Sequence, residues 1–248
     1  MERLVGSMEE IMNPVLILTR NNLELTKRCV ESVRAQDIPT ELFIYDNGST
    51  DGTHEWIVNN RDLLGFRDSI NCINTGVTYA WNVMLKYNFE DEGRTSVLVL
   101  NNDAIIPPWF MRELASYGLL YELDPFVTGV ATNDMSVIAE KAGVCPPSPH
   151  PDFSAFLIGR SVWERVGPFD ERFVLYCQDC DYHVRAHRAG VHLWKANVPY
   201  FHINSQTLHR STPVDRMAIQ EQANRDRAMF KSIYGVLPGT AEYNELFK

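Results

Sequence analysis

No stretch of the 248-residue chain stays apolar for the roughly 20 residues that a membrane-spanning helix needs. Glycine-rich phosphate loops of the P-loop or dinucleotide type are absent, which removes two common nucleotide-binding designs. There is no internal repeat and no low-complexity segment. Basic residues are in the minority, 23 Lys and Arg against 32 Asp and Glu, for a net charge of −9. A protein that grips phosphate backbones usually carries a basic surface, so this balance argues against nucleic-acid binding as the main role. The five cysteines, Cys29, Cys72, Cys145, Cys177 and Cys180, are odd in number and the first three are scattered. That pattern does not suggest a disulfide framework and points to reduced thiols and a cytoplasmic setting. Residues 1–12 carry three glutamates and no long apolar stretch, so they read as a loose N-terminal extension rather than a signal peptide.

Apolar residues make up 45% of the chain, enough for the core of one large α/β domain. Short apolar runs alternate with helix-like stretches through the first half. Pro14–Thr19, Glu41–Asp46, Ser69–Asn74 and Thr95–Leu100 read as strands. Leu23–Ala35, Thr53–Asn60 and Thr78–Tyr87 read as helices, and Pro107 opens another. This alternation predicts a parallel sheet covered by helices on both faces. Ligands of such sheets bind beyond the carboxyl ends of the strands. The polar groups Thr19–Arg20–Asn21, Asp46–Asn47, Asn74 and Asn101–Asn102–Asp103 all fall there. In the second half, Pro146–Pro151 must be a loop, Phe153–Ile158 and His192–Ala196 read as strands, and Asp179–Ala189 and Pro213–Tyr234 as helices.

The segments VLILTRNNLELTKRCVESVRAQ, LFIYDNGSTDGT, NTGVTYAWN and VLVLNND resemble the opening of glycosyltransferase family 2 enzymes with the GT-A fold. GRSVWERVGPFDERF and YCQDCDYHVRAHRAG resemble their acceptor side, and PYFHINSQT and FKSIYG their closing elements. The resemblance implies a Rossmann-like α/β domain over 13–235, with a nucleotide-sugar half at 13–104, an acceptor-side half at 105–235 and a tail at 236–248. It also implies inverting transfer from a nucleoside-diphosphate sugar, UDP- or dTDP-type, assisted by a divalent cation such as Mn²⁺ or Mg²⁺.

By the same resemblance, Asp103 would hold the cation, although the family's Asp-x-Asp reads Asn101-Asn102-Asp103 here. A carboxylate is a suitable hard ligand beside phosphate oxygens; a helix-capping role is the alternative. His202 stands where a family histidine can reach the metal or diphosphate. Asp46 would recognise the nucleobase or ribose, or form an Asx-turn. Thr19, Asn21 and Asn102 would line the nucleotide-sugar pocket, Gly76 would let backbone approach the ligand, and Asn82 would face the pyrophosphate or sugar. Asp179 is the candidate general base, since the family's acidic pair reads Gln178-Asp179 here; Asp181 is the runner-up. Cys177-x-x-Cys180 with His183 and His187 has the outline of a zinc site but lacks a second cysteine pair. The acceptor is open: a glycan or lipid-linked sugar first, then a protein or a modified nucleic acid. A nucleotide-sugar or glycan-binding module without turnover is the competing reading.

Overall fold

The computed structural model describes residues 12–71, 73–120, 125–134, 152–202 and 213–248. The N-terminal extension up to residue 11, Cys72, Cys145, the proline-rich run at 146–151 and the end of the PYFHINSQT segment lie outside the described residues. An eight-stranded mixed sheet runs through the molecule: β1 (Asn13–Thr19), β2 (Thr40–Asn47), β3 (Arg67–Asn71), β4 (Ser96–Asn101), β5 (Ala104–Ile105), β6 (Phe126–Thr132), β7 (Ala155–Gly159) and β8 (Trp194–His202). Its order is β3-β2-β1-β4-β7-β6-β8-β5. Strands β1 to β4 are mutually parallel, as the alternation predicts. In the second half the sheet is mixed, because β7 runs antiparallel to β4 and β6, and β5 runs antiparallel to β8.

Near-continuous apolar strands are the signature of a sheet buried on both faces. In β1, Val15 and Ile17 join one core with Cys29, Val30 and Val33 of α1 (Leu23–Arg34). Leu16 and Leu18 join the other with Ala80, Trp81 and Met84 of α3 (Val77–Lys86). The same alternation divides Leu98 and Leu100 of β4 from Val97 and Val99. Each fully buried aliphatic side chain contributes on the order of 1.5–3 kcal/mol. Two faces of such contacts hold the strand ends in register.

Element ends differ from the sequence expectation where polar side chains intervene. The third strand stops at Asn71, and Asn74 lies in the following loop, where its Oδ1 accepts from Asn47 Nδ2 at 3.0 Å. The helix expected from Pro107 becomes α4 (Phe110–Leu120), after a turn in which Phe110 N donates to Pro107 O. Strand β7 starts at Ala155 because Ser154 N turns back to Asp152 Oδ1 at 2.9 Å. Strand β8 extends past the expected Ala196 and through Pro199, opposite a register shift between Thr128 and Val130 of β6. An irregularity of this kind is where a sheet tolerates proline.

The remaining helices are α2 (Thr53–Leu64), α5 (Arg160–Val166), α6 (Gln178–Arg188), the long helix Pro213–Tyr234 and a short one at Ala241–Asn244. The C-terminal residues pack onto α6: Tyr243 is fully buried, and the Phe247 ring lies 4.3 Å from that of His183 and 5.3 Å from that of His187. Both histidines of the zinc-like outline are therefore in aromatic contact. Cys177 and Cys180 are free thiols, and burial pushes Cys177 up to about 12, so neither sulfur is prepared as a thiolate ligand. Among the described residues no helix is long and apolar enough to cross a membrane.

Candidate active site

The carboxyl ends of β1, β2 and β4 carry the polar rim. Asp46 is fully buried at the end of β2. Its Oδ1 accepts from Ser49 N at 3.0 Å and Ser49 Oγ at 2.5 Å, the Asx-turn of the alternative reading. Its Oδ2 is buried without a hydrogen-bond partner and faces His54 Nδ1 at 3.5 Å. A buried carboxylate oxygen without a donor is costly, so this atom is prepared for an N–H or O–H that is not yet there.

Around it the loops are tied to one another. Asn21, in the left-handed region at φ 60°, donates its N–H to Ser49 Oγ at 2.7 Å and accepts from Thr50 N at 2.7 Å. Asp51 accepts from Leu23 N at 3.2 Å and Thr53 N at 3.1 Å, so one carboxylate serves the first turns of α1 and α2. Asn47, placed on the rim by the sequence but given no role there, joins β2 to the loop after β3 through Asn74, Thr75 and Gly76. Its place beside Asp46 in a turn-rich run was the available signal.

Three residues expected to face the ligand are turned to internal contacts. Asn102 Nδ2 has Thr19 Oγ1, Thr26 Oγ1 and Asn21 O within 2.8–3.0 Å, which fastens β4 to the β1–α1 loop and engages Thr19 as well. Gly76 has φ 87°, and a Cβ there would meet Val174 Cγ1 at 2.6 Å, so the glycine admits the chain's own 174 segment. Asn82 Oδ1 accepts from Phe169 N at 2.8 Å and its Nδ2 donates to Phe169 O at 2.9 Å. Its Nδ2 also donates to Glu171 Oε1 at 2.9 Å, so both N–H groups of the amide are engaged by the 169–171 turn. In Asn82→Ala both Phe169 groups lose their partner inside the core. We expect destabilisation of about 1–3 kcal/mol, read by urea unfolding, with donor affinity unchanged.

A cavity of about 560 Å³ opens beside the strand ends and brings together Asp179, Asp152, Tyr176 and His202. Asp179, in the first turn of α6, accepts from Cys180 N at 2.8 Å. Burial, and secondarily the nearby Asp152 charge, raises its carboxyl above the ordinary aspartate range. Asp181, the runner-up, is held internally: Arg185 Nε lies 2.8 Å from Oδ2, and Tyr234 OH donates to Oδ1 at 2.6 Å. Arg185 also donates to Val166 O and Pro168 O, which fixes α6 against α5. A second cavity of about 390 Å³ between β2, β3 and α3 is lined mainly by apolar groups such as Phe43, Tyr45 and Met84, away from the rim.

His202 ends β8 and pairs in register opposite Ala104, next to Asp103. Its Nε2 stands 3.4 Å from Asp103 Oδ1, while Nδ1 is buried without a hydrogen bond, 3.9 Å from Asp152 Oδ2. Burial alone would lower the imidazole's pKa; Asp103, with Asp152 behind it, more than offsets this and raises it. Two ligands each about 2.1 Å from one cation and at right angles to it stand about 3 Å apart, so the Asp103–His202 pair fits a shared ion. Among the described residues no group of three or more His, Cys, Asp or Glu is assembled to hold a metal. The pair would therefore supply two ligands and leave the others to the bound substrate and water. Asp152 carries no recognisable sequence word and follows the proline-rich run; the antiparallel start of β7 brings it to this cavity.

The Rossmann-like parallel half and the mixed half together form the GT-A fold seen in solved glycosyltransferases. Residues 15–118 match the family model "Glycosyl transferase family 2". The low-salt glycan biosynthesis hexosyltransferase Agl10 of Haloferax volcanii is 25% identical over 178 residues, covering 64% of this chain and 57% of that relative. Among solved structures, S. aureus TarS superposes with a TM-score of 0.61 at 16% identity, over 96% of this chain and 47% of its own. The mannosyltransferase PcManGT of Pyrobaculum calidifontis, in complex with GDP-Man and Mn²⁺, gives 0.60 at 16% identity, over 97% of this chain and 84% of its own. The chain thus spans about half the length of Agl10 and of TarS.

Proposed function

We propose that this chain is an inverting glycosyltransferase that moves a sugar from a UDP- or dTDP-type donor to an acceptor hydroxyl. The observation that carries the reading is the cavity at the strand ends lined by Asp179 and His202, with Asp103 Oδ1 3.4 Å from His202 Nε2. The partners of similar folds support it: TarS residues 1–349 have been crystallised with UDP-GlcNAc, and PcManGT with GDP-Man and Mn²⁺. Asp46 Oδ2 would accept the imide N–H of a uracil-type base or a ribose hydroxyl once His54 moves aside. The Asn21, Asn47 and Asn102 bonds would keep the loops around it in place. Asp103 and His202 would hold a divalent cation, whose chemistry is to neutralise the departing diphosphate. Asp179 would take the acceptor hydroxyl's proton as its oxygen bonds to the anomeric carbon and the bond to the diphosphate oxygen breaks. A glycan or lipid-linked sugar is the favoured acceptor.

Calorimetric titration of UDP-, dTDP- and GDP-sugars with and without Mn²⁺ tests the donor half of this reading. Cation-dependent binding of a donor is expected; no binding of any of them would overturn it. The base half predicts a pH dependence. Asp179 must be ionised to act, and its carboxyl is raised, so turnover falls with acidity through a pKa above the ordinary aspartate value of about 3.9. A log kcat profile still flat down to pH 4 would count against Asp179 as the base.

A further inference from the structure

Leu175, Tyr176 and Cys177 line the cavity next to Asp179 on a stretch of irregular backbone that begins at Val174, and Cys177 is held in the left-handed region at φ 65°. A non-glycine residue there is strained and persists only where the surroundings impose it. One side of the stretch is tied to α3, where Val77 N donates to Val174 O at 3.0 Å and Thr78 Oγ1 to Phe173 O. The other side is held by a carboxylate from far along the chain. Asp226, 1% exposed on the long helix Pro213–Tyr234, accepts from Val174 N at 3.3 Å and from Leu175 N and Tyr176 N at 2.9 Å each.

Three successive N–H groups converging on one carboxylate form an anion nest filled by the protein's own side chain. Gln222 Nε2 donates to Asp226 Oδ1 at 2.8 Å, and the Arg227 guanidinium lies 5.6 Å from the Tyr176 ring centre. Asp226 also occupies the apolar stripe of its helix, between the buried Ala223 and Phe230. Burying a charge there without hydrogen bonds would be costly, so the nest explains why the acid is tolerated.

We propose that Asp226 is a positioning residue: by fixing the backbone of Val174–Tyr176 it sets where Cys177 turns into α6 and hence where the Asp179 carboxylate sits in the cavity. The inference rests on the transferase reading above. In Asp226→Asn the amide cannot accept at both positions, so the nest opens while the helix keeps its shape and apolar contacts.

The test uses the full chain and the nucleotide sugar that the wild type hydrolyses. For Asp226→Asn, kcat is expected to fall by about 10²-fold, as misplacement of a reacting group does. Donor KM and calorimetric binding stoichiometry should stay at wild-type values. Amide hydrogen exchange should lose protection at residues 174–179 but not in β1. Phe230→Leu, which thins the same helix interface without touching the nest, should lose stability and keep kcat. Gln222→Ala, which removes only the bond to Asp226 Oδ1, serves if Asp226→Asn does not fold, with a smaller kcat loss expected. Unchanged kcat and exchange, or a kcat loss matched by lost binding stoichiometry, would overturn the inference alone. No turnover by the wild type with any donor would overturn the transferase reading and this inference with it.

Discussion

Asp179→Asn is expected to bind the nucleotide sugar as the wild type does and to turn it over about 10²- to 10⁴-fold more slowly, the range a positioned general base supplies. The substitution keeps the side chain's shape and removes only its basicity. Donor affinity by calorimetry and kcat by diphosphate release should therefore separate cleanly. The sign of the stability change is also fixed. Burial raises the Asp179 carboxyl above its unfolded value, so its ionised form opposes folding at neutral pH. That penalty disappears as pH falls through the raised value. An uncharged Asn escapes it throughout, so the variant should be at least as resistant to urea at pH 7 as the wild type. A variant that is both inactive and less stable would point to a structural role. The same variant of Asp181 should behave in that opposite way, because it breaks the contacts with Arg185 and Tyr234.

Asp103→Ala should cost several kcal/mol of transition-state stabilisation, about 10²- to 10³-fold in turnover, and should weaken the Mn²⁺ dependence of donor binding. The Asp103 carboxylate and the His202 imidazole stand 3.4 Å apart, and alanine leaves His202 alone. Raised Mn²⁺ should recover part of the lost activity if the defect is in cation affinity. Full activity in Asp103→Ala with chelator present would show that leaving-group charge is handled by other groups.

The parallel half of the fold was legible because its information is local. Four apolar runs, three ending in Thr19, Asp46 and Asn74 and the fourth followed by Asn101–Asn102–Asp103, placed one rim, and the polar words there carried the family resemblance. The partners of those polar groups were not legible. Asn82, Asn102 and Gly76 sit in words associated with ligand binding, yet each faces a segment at least 81 residues away, except for Asn102's nearer ties within the same rim. A sequence window cannot say which of two acceptors, backbone or ligand, wins an amide that fits both. The mixed half was read less well because its strands pair in both senses and are interrupted. β6, with Gly129 inside Phe126–Thr132, and the two-residue β5 give no periodic signal. Asp226 left a faint one, an acid where the Ala223–Phe230 stripe calls for an apolar residue.

The central claim is metal-assisted turnover of a nucleotide sugar in the Asp179–His202 cavity. Its most direct test is diphosphate release from a panel of UDP-, dTDP- and GDP-sugars with Mn²⁺ and no acceptor, water standing in for the hydroxyl. The account predicts slow release from one donor, abolished by chelator, by Asp103→Ala and by Asp179→Asn. Cation-dependent donor binding with no release, even when glycan and lipid-linked acceptors are supplied, would contradict it and make this chain a binding module.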